Sequence, residues 1–227
     1  MFKPALYEPL LIKNLFDLTH TQAAPLLEGL DYPWEALPLI NDFIIKLGKT
    51  LSSDEYELRG ENVWVAKSAK VFDSVYIDGP AIIGPETEVR HGAFIRGKAL
   101  VGRHCVVGNS VELKNVILFD NVQTPHYNYV GDSILGYKSH MGAGSITSNV
   151  KSDKTLVAID TGKGRIQTGL KKMGAVLGDC VEIGCNTVLN PGSIVGRHTN
   201  VYPLSMVRGV VPPDSIFKRE GETVKKR

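Results

Sequence analysis

The sequence predicts an all-β chain wound as a parallel β-helix of hexapeptide repeats, preceded by a small helical segment. Three observations carry this expectation. Aliphatic residues fall on every sixth position from Val65 through Val71, Ile77, Ile83, Val89, Ile95, Val101 and Val107 to Leu113. The beat returns at Leu135 and Met141, breaks at the polar Thr147, and returns again from Leu177 to Val207. Gly follows the aliphatic residue at positions such as 84, 102, 108, 184 and 196, and the residue four places on is usually small, as at Ala81, Ala93, Cys105, Ser145 and Thr187. A period of six suits neither a helix nor an alternating strand. It suits a coil of short strands joined by tight corners. In this reading the aliphatic residue fills the interior, the small residue fits the corner, and Gly takes the corner dihedrals.

The elements follow in chain order. Residues 1–60 are expected to form a helical cap on the first coil, covering the open end of the β-helix. Trp34, Leu37, Ile40, Ile44 and Leu47 recur at helical spacing, with Asp31 and Pro33 as a start signal and Gly48 as a stop. A shorter helix is expected over 22–30. The β-helix domain is expected over 61–215, beginning with three coils of eighteen residues over 61–118. Segments 119–130 and 148–176 break the beat and are expected as inserted loops. Two further coils follow over 177–212, and 216–227 reads as a basic, poorly ordered tail.

Composition narrows the function classes. A formal net charge of +2 gives no reason to expect a nucleic-acid binder. Three cysteines do not make a disulfide framework. Cys105 sits at a small corner position and is expected as a buried thiol, while Cys180 and Cys185 lack the spacing of a zinc site. No apolar run reaches membrane-spanning length, and no signal-peptide pattern opens the chain. A reduced, cytoplasmic protein without a membrane partner is expected.

The chemistry-bearing residues come next. Arg96 and Lys114 each follow an aliphatic position and lie one coil apart, so the stacking of strands at about 4.8 Å makes them neighbours on one face. Two like charges that close favour an intervening anion, and Arg suits phosphate; relief by Asp78 and water is the alternative. His126, in the first irregular segment, has the reference pKa range of a general base. His91, His104, His126, His140 and His198 show no closely spaced pair, so no metal is expected. The corner Gly142-Ala143-Gly144-Ser145 offers backbone amides suited to an anion or a thioester oxygen.

The stretches VVGNSVELKNVIL (106–118), HYNYVGDSILGYKSHMGAGSITSN (126–149) and, more loosely, LGDCVEIGCNTVLNPGSIVGRHTNV (177–201) resemble the acetyltransferase domain of the bifunctional N-acetylglucosamine-1-phosphate uridyltransferase/glucosamine-1-phosphate acetyltransferase. The whole chain is similar to short stand-alone relatives of that enzyme, often labelled pyrophosphorylase-related. The resemblance implies a left-handed winding, opposite to the usual hand of parallel crossovers. It also implies a homotrimer with sites between subunits, acetyl-CoA as donor and an amino-sugar phosphate such as glucosamine-1-phosphate as acceptor. It makes Arg96 and Lys114 the phosphate ligands, with Glu112 beside them, and His126 the catalytic base. Tyr129, His140 and Asn149 become acceptor-binding residues, and Ala143 and Cys185 face the cofactor. His140 stands where the family has Asn, Val150 replaces a Tyr, Cys185 replaces a Ser, and Pro203 removes a backbone donor. These departures leave open another sugar or nucleotide-sugar acceptor, or a non-catalytic trimeric sugar-phosphate-binding scaffold. Nothing before Val65 resembles a nucleotidyltransferase loop, so uridylyl transfer is not expected.

Overall fold

The structure is a computed structural model that describes residues 7–226. From Val63 onward the chain winds as a parallel β-solenoid whose short strands stack on three faces. The first face carries Val63–Ala66, Ala81–Ile83, Ala99–Val101, the ends of Glu112–Leu118 and Tyr129–Leu135, then Ala175–Leu177, Ser193–Val195 and Val210–Val211. The second runs from Lys70–Val71 to Ser215–Arg219. The third runs from Tyr76–Asp78 to Met206–Val207. Glu112–Leu118 and Tyr129–Leu135 each turn a corner, which joins the first and third faces into a single 14-stranded sheet.

The six-residue beat marks the interior as expected: Val65, Ile83, Val89, Ile95, Val101, Val107 and Leu113 are fully buried. The small residues are buried too, and their hydroxyls have a second task. Thr87, Ser145, Ser193 and Thr199 donate to the corner carbonyls of Gly102, Gly142, Asn190 and Pro212, each at 2.7 Å. Corner carbonyls that no strand pairs are thereby satisfied. The glycines that follow the aliphatic residue act differently from the expectation. The left-handed corner positions hold Lys98, His104, Ser110, Lys138 and Asn186, with Gly92 and Gly144, all at positive φ. Gly108 and Gly184 instead allow close approach, since an added Cβ would lie 1.6 Å from the Pro125 carbonyl oxygen and 2.3 Å from the Pro203 nitrogen.

Segment 119–130 is not an inserted loop. Gln123–His126 pairs in parallel with Val106–Asn109, and Tyr129 pairs with Glu112. The step between coils is eighteen residues from Ala81 to Ala99, but seventeen from Ala99 to Val116 and from Val116 to Ser133. Two stacked corners, at 114–115 and 131–132, are each one residue shorter. That deletion, with Thr124 buried at an interior position, hides the beat. The chain does leave the solenoid after Ile146–Thr147 and returns at Ala175–Leu177, since Ile134 pairs with Val176 across a step of forty-two. This excursion carries an antiparallel hairpin, Ala158–Asp160 against Arg165–Gln167. Thr147 breaks the aliphatic rule because its buried hydroxyl accepts from the Gly131 N–H at 2.9 Å and meets the Ser133 hydroxyl at 3.1 Å where the excursion rejoins.

The N-terminal segment lies along a flank rather than over an end. The first-face strands carry a second apolar ladder pointing outward: Ile82, Leu100, Ile117, Ile134, Val176 and Ile194, in register and buried. The helix Ile40–Gly48 packs across 81–83, 99–101 and 112–118, and the segment Pro33–Leu39 packs against 129–135. A strand apolar on both sides is a buried strand. The expected single helix is split, because Pro38 lacks an N–H and holds Pro33–Leu39 as a 3₁₀ turn. The shorter expected helix is confined to Ala24–Leu27. Gly48 is the last residue of the long one, and its bare Cα makes room for the Trp64 ring, which an added Cβ would meet at 2.3 Å.

Both ends of the solenoid are closed by antiparallel strands. Tyr56–Gly60 folds onto Val63–Ala66, and Glu222–Lys225 folds onto Ser215–Arg219. The basic tail is therefore an ordered hairpin, pinned by Glu222 to Lys218 at 3.0 Å and Arg219 at 2.8 Å. These cations hold the Glu222 carboxyl below its usual range.

Candidate functional site

The two shortened corners gather a polar network. Asn115 and Asp132 both sit at positive φ, the backbone region that Asn and Asp tolerate best. Asp132 is 4% exposed and its carboxylate accepts from Lys114 Nζ at 2.9 and 3.0 Å, Asn115 Nδ2 at 2.9 Å and Asn149 Nδ2 at 2.5 Å. Asn149 also donates to the Tyr129 hydroxyl at 3.2 Å. Burial, with Asp132 and Glu112 nearby, raises the Tyr129 hydroxyl above its ordinary pKa. Arg96 lies one coil from Lys114, as the spacing requires, and donates to Glu112 at 2.6 Å.

Arg96 and Lys114 therefore share a face without sharing a ligand. Each cation has its own carboxylate, and neither of these is Asp78. Asp132 is the residue that sequence reasoning missed. It binds Lys114 and Asn149, two residues singled out separately, and it fixes their geometry. The bond of Arg96 to Glu112 holds the guanidinium above its usual pKa.

A second group lies at the corner between the second and third faces. Gly144 donates its N–H to the His126 carbonyl at 3.0 Å, Asn186 to Ala143 at 2.8 Å and Leu204 to Cys185 at 2.9 Å. His126, Ala143, Cys185 and Pro203 thus form one column up the corner. Asn128, 2% exposed, staples it. Its side-chain carbonyl accepts from the His126 N–H at 3.2 Å, and its amide donates to the carbonyls of Gly142 at 2.9 Å and Ser145 at 3.1 Å. Asn128 was also missed; its place between two tyrosines in the loop-like segment gave no periodic signal. Cys185 is an exposed free thiol. Cys105 is the buried thiol expected of it, donating to the Phe119 carbonyl at 3.0 Å, and burial pushes its pKa up to about 12.

The two groups do not meet within one chain. His126 aligns with Asn109 before the third-face strand, whereas Lys114 follows that strand. Among the described residues, no hydrogen bond or ion pair joins His126 to Arg96 or Lys114. His140 belongs to neither group. It pairs with Gln123 and Glu182 on the second face, and its Nδ1 lies 2.8 Å from Glu182 Oε2. Within one chain the register gives His140 the outward position of Lys70 and Glu88 in earlier coils, apart from Tyr129 and Asn149.

The third face is uncovered. Tyr76, Phe94, Glu112, Tyr129, Ile146, Val188 and Met206 run along it in register. Tyr76 is 60% exposed, Phe94 41% and Met206 45%. Among the described residues no helix is long and apolar enough to cross a membrane.

Comparison with known proteins gives consistent matches. The chain is 31% identical over 205 residues to the bifunctional protein GlmU of Methanococcus maripaludis, covering 85% of this chain and 47% of that protein. It is 30% identical over 166 residues to a bifunctional sugar-1-phosphate nucleotidylyltransferase/acetyltransferase of Sulfurisphaera tokodaii, covering 65% of this chain and 41% of that protein. The chain thus spans less than half the length of these curated relatives. A putative acetyltransferase structure from Bacillus cereus overlaps 72% of this chain and 77% of its own, at 19% identity and a TM-score of 0.41. The GMPPB C-terminal domain model matches residues 77–211, more than half of the chain. The chain belongs to the GMPPB C-terminal domain family.

Proposed function

We propose that the chain is an acetyl-CoA-dependent N-acetyltransferase acting on an amino-sugar phosphate, working as a homotrimer. The observation that carries this reading is the corner column. His126 is exposed, and one coil above it the Ala143 N–H donates to no protein acceptor among the described residues. An imidazole beside a free backbone donor suits acyl transfer. His126 takes a proton from the sugar amine as its nitrogen bonds to the thioester carbonyl carbon. The Ala143 amide steadies the oxyanion, and the C–S bond breaks to release CoA as its thiolate. Arg96 and Tyr129 meet the acceptor, with Lys114 and Asn149 oriented by Asp132. The uncovered apolar third face supports a neighbouring subunit there, because a patch of this kind is rarely left to solvent. Such a neighbour brings the corner column of one subunit to the cation network of another.

The decisive assay offers acetyl-CoA with glucosamine-1-phosphate and a panel of other amino sugars. Acetylation of at least one amino-sugar phosphate is expected; no transfer to any acceptor would overturn the reading. Pro203 in the same column motivates the rival, a scaffold that binds sugar phosphate without a donor. Thiol labelling separates the two. Cys185 is exposed, Cys105 is fully buried, and burial raises the Cys180 thiol above its usual pKa. A disulfide reagent is therefore expected to modify Cys185 first. Saturating CoA is expected to slow that labelling several-fold if the cofactor passes over the column. An unchanged rate would favour the scaffold.

A further inference from the structure

The N-terminal flank and the returning arm of the excursion enclose a seam that acetyl transfer to a simple sugar phosphate does not use. Where the seam meets the shortened corners it opens into a cavity of about 310 Å³, lined by Lys98, Lys114, Lys171 and Lys172 around Leu170 and Asn41. Lys114 is neutralised by Asp132, the carboxylate in this lining. Lys98, Lys171 and Lys172 form no ion pair among the described residues, and all three are exposed. Three uncompensated ammonium groups around one small cavity repel one another, and a bound polyanion relieves that repulsion.

The seam continues. Pro33–Leu39 lends Leu37 and Pro38 to this cavity and Trp34 and Glu35 to a second of about 680 Å³, while the returning arm lends Leu170 to the first and Gln167 and Thr168 to the second. In the second cavity the half-buried Tyr32 ring stacks on the buried Trp34, with centroids 4.4 Å apart and planes at 11°. Lys163 and Arg165 line its other side. Cations followed by an aromatic shelf match a phosphate chain followed by a flat heterocycle.

We propose that this seam binds a nucleoside diphosphate, so that the amino sugar arrives carried on one. The diphosphate lies among Lys98, Lys171 and Lys172, the base lies against the Tyr32 ring that Trp34 backs, and the sugar projects past Asp132 toward Tyr129 and Asn149. A sugar monophosphate leaves both the three lysines and the aromatic shelf unused. The identification of the cargo as an amino sugar rests on the acetyltransferase reading; the binding of the diphosphate does not.

Calorimetry on the full chain, without any acetyl donor, tests this with UDP, GDP, UMP and glucosamine-1-phosphate as probes. At least one diphosphate is expected to bind about tenfold or more tightly than either monophosphate, the gain of one further charge-assisted contact. The Lys171→Ala/Lys172→Ala double variant, altered at exposed positions that keep the fold, is expected to lose that advantage and to show a shallower salt dependence. Diphosphates that bind no better than UMP, or a double variant that binds them as the parent does, would overturn the proposal. Diphosphate binding without any acetyl transfer would sink only the catalytic reading. Acetylation of glucosamine-1-phosphate without diphosphate preference would sink only this one.

Discussion

Replacing His126 with alanine is expected to slow acetyl transfer by roughly 10²–10⁴-fold, the usual contribution of a positioned general base. Acceptor binding is expected to change little. The imidazole is exposed at a corner and shares no bond with Arg96, Lys114 or Tyr129. The fold is expected to persist, because the His126 contacts that hold the corner are made by its backbone to Gly144 and Asn128. Near-normal turnover in this variant would remove His126 from the chemistry. A complementation experiment then asks where its partner cations come from. Arg96→Ala alters an exposed side chain and is expected to be impaired on its own. Co-assembly of the two impaired variants is expected to recover activity if the site is shared between subunits, since some sites then receive an intact His126 and an intact Arg96. No recovery would place the whole site within one chain, against the separation of the two groups described above.

Asp132→Ala is expected to produce the largest loss of stability among the site residues. The carboxylate accepts four hydrogen bonds from three side chains and is almost fully buried. Removing one partner of a buried ion pair costs about 3–5 kcal/mol, because the other charge is left without compensation. Alanine also tolerates the positive φ at this corner less well than Asp. For a chain of this size the change corresponds to a fall in Tm of roughly 6–20 °C. Asp132→Asn keeps the shape and the corner conformation but not the charge, and a smaller fall is expected. A Tm for the alanine variant within about 2 °C of the parent would show that the network is not a structural support.

The solenoid was legible because its interior admits one residue in six, and that rule leaves a direct trace in the sequence. The trace failed where the physics changed. On either side of 119–130 the corners at 114–115 and 131–132 each lost a residue, and Thr124 took an interior place, so a regular coil read as a loop. The outward ladder of Ile82, Leu100 and Ile117 was visible as paired aliphatics but was not read as a second buried surface, so the helices were sent to the end of the β-helix instead of its side. Pro38 carried a legible break in the long helix that spacing alone overrode. The structure brings Arg96, Glu112, Tyr129, Lys114 and Asn149 into one region. Their organiser, Asp132, lies in the second shortened corner, where period counting has lost phase. His140 was grouped by motif likeness, although counting back through Gln123 and Val106 to Glu88 places it on another face.

The hairpin-bearing excursion leaves and rejoins at one point, where Gly174 donates to the Asp132 carbonyl at 2.8 Å and Ala175 to the Ser133 hydroxyl at 3.0 Å. A Cβ on Gly174 would lie 2.2 Å from the Gly131 carbonyl oxygen. The join is thus tight, and the coils on either side of it pair directly, Ile134 with Val176. A change in the arm's length therefore need not shift the winding of the frame beneath it.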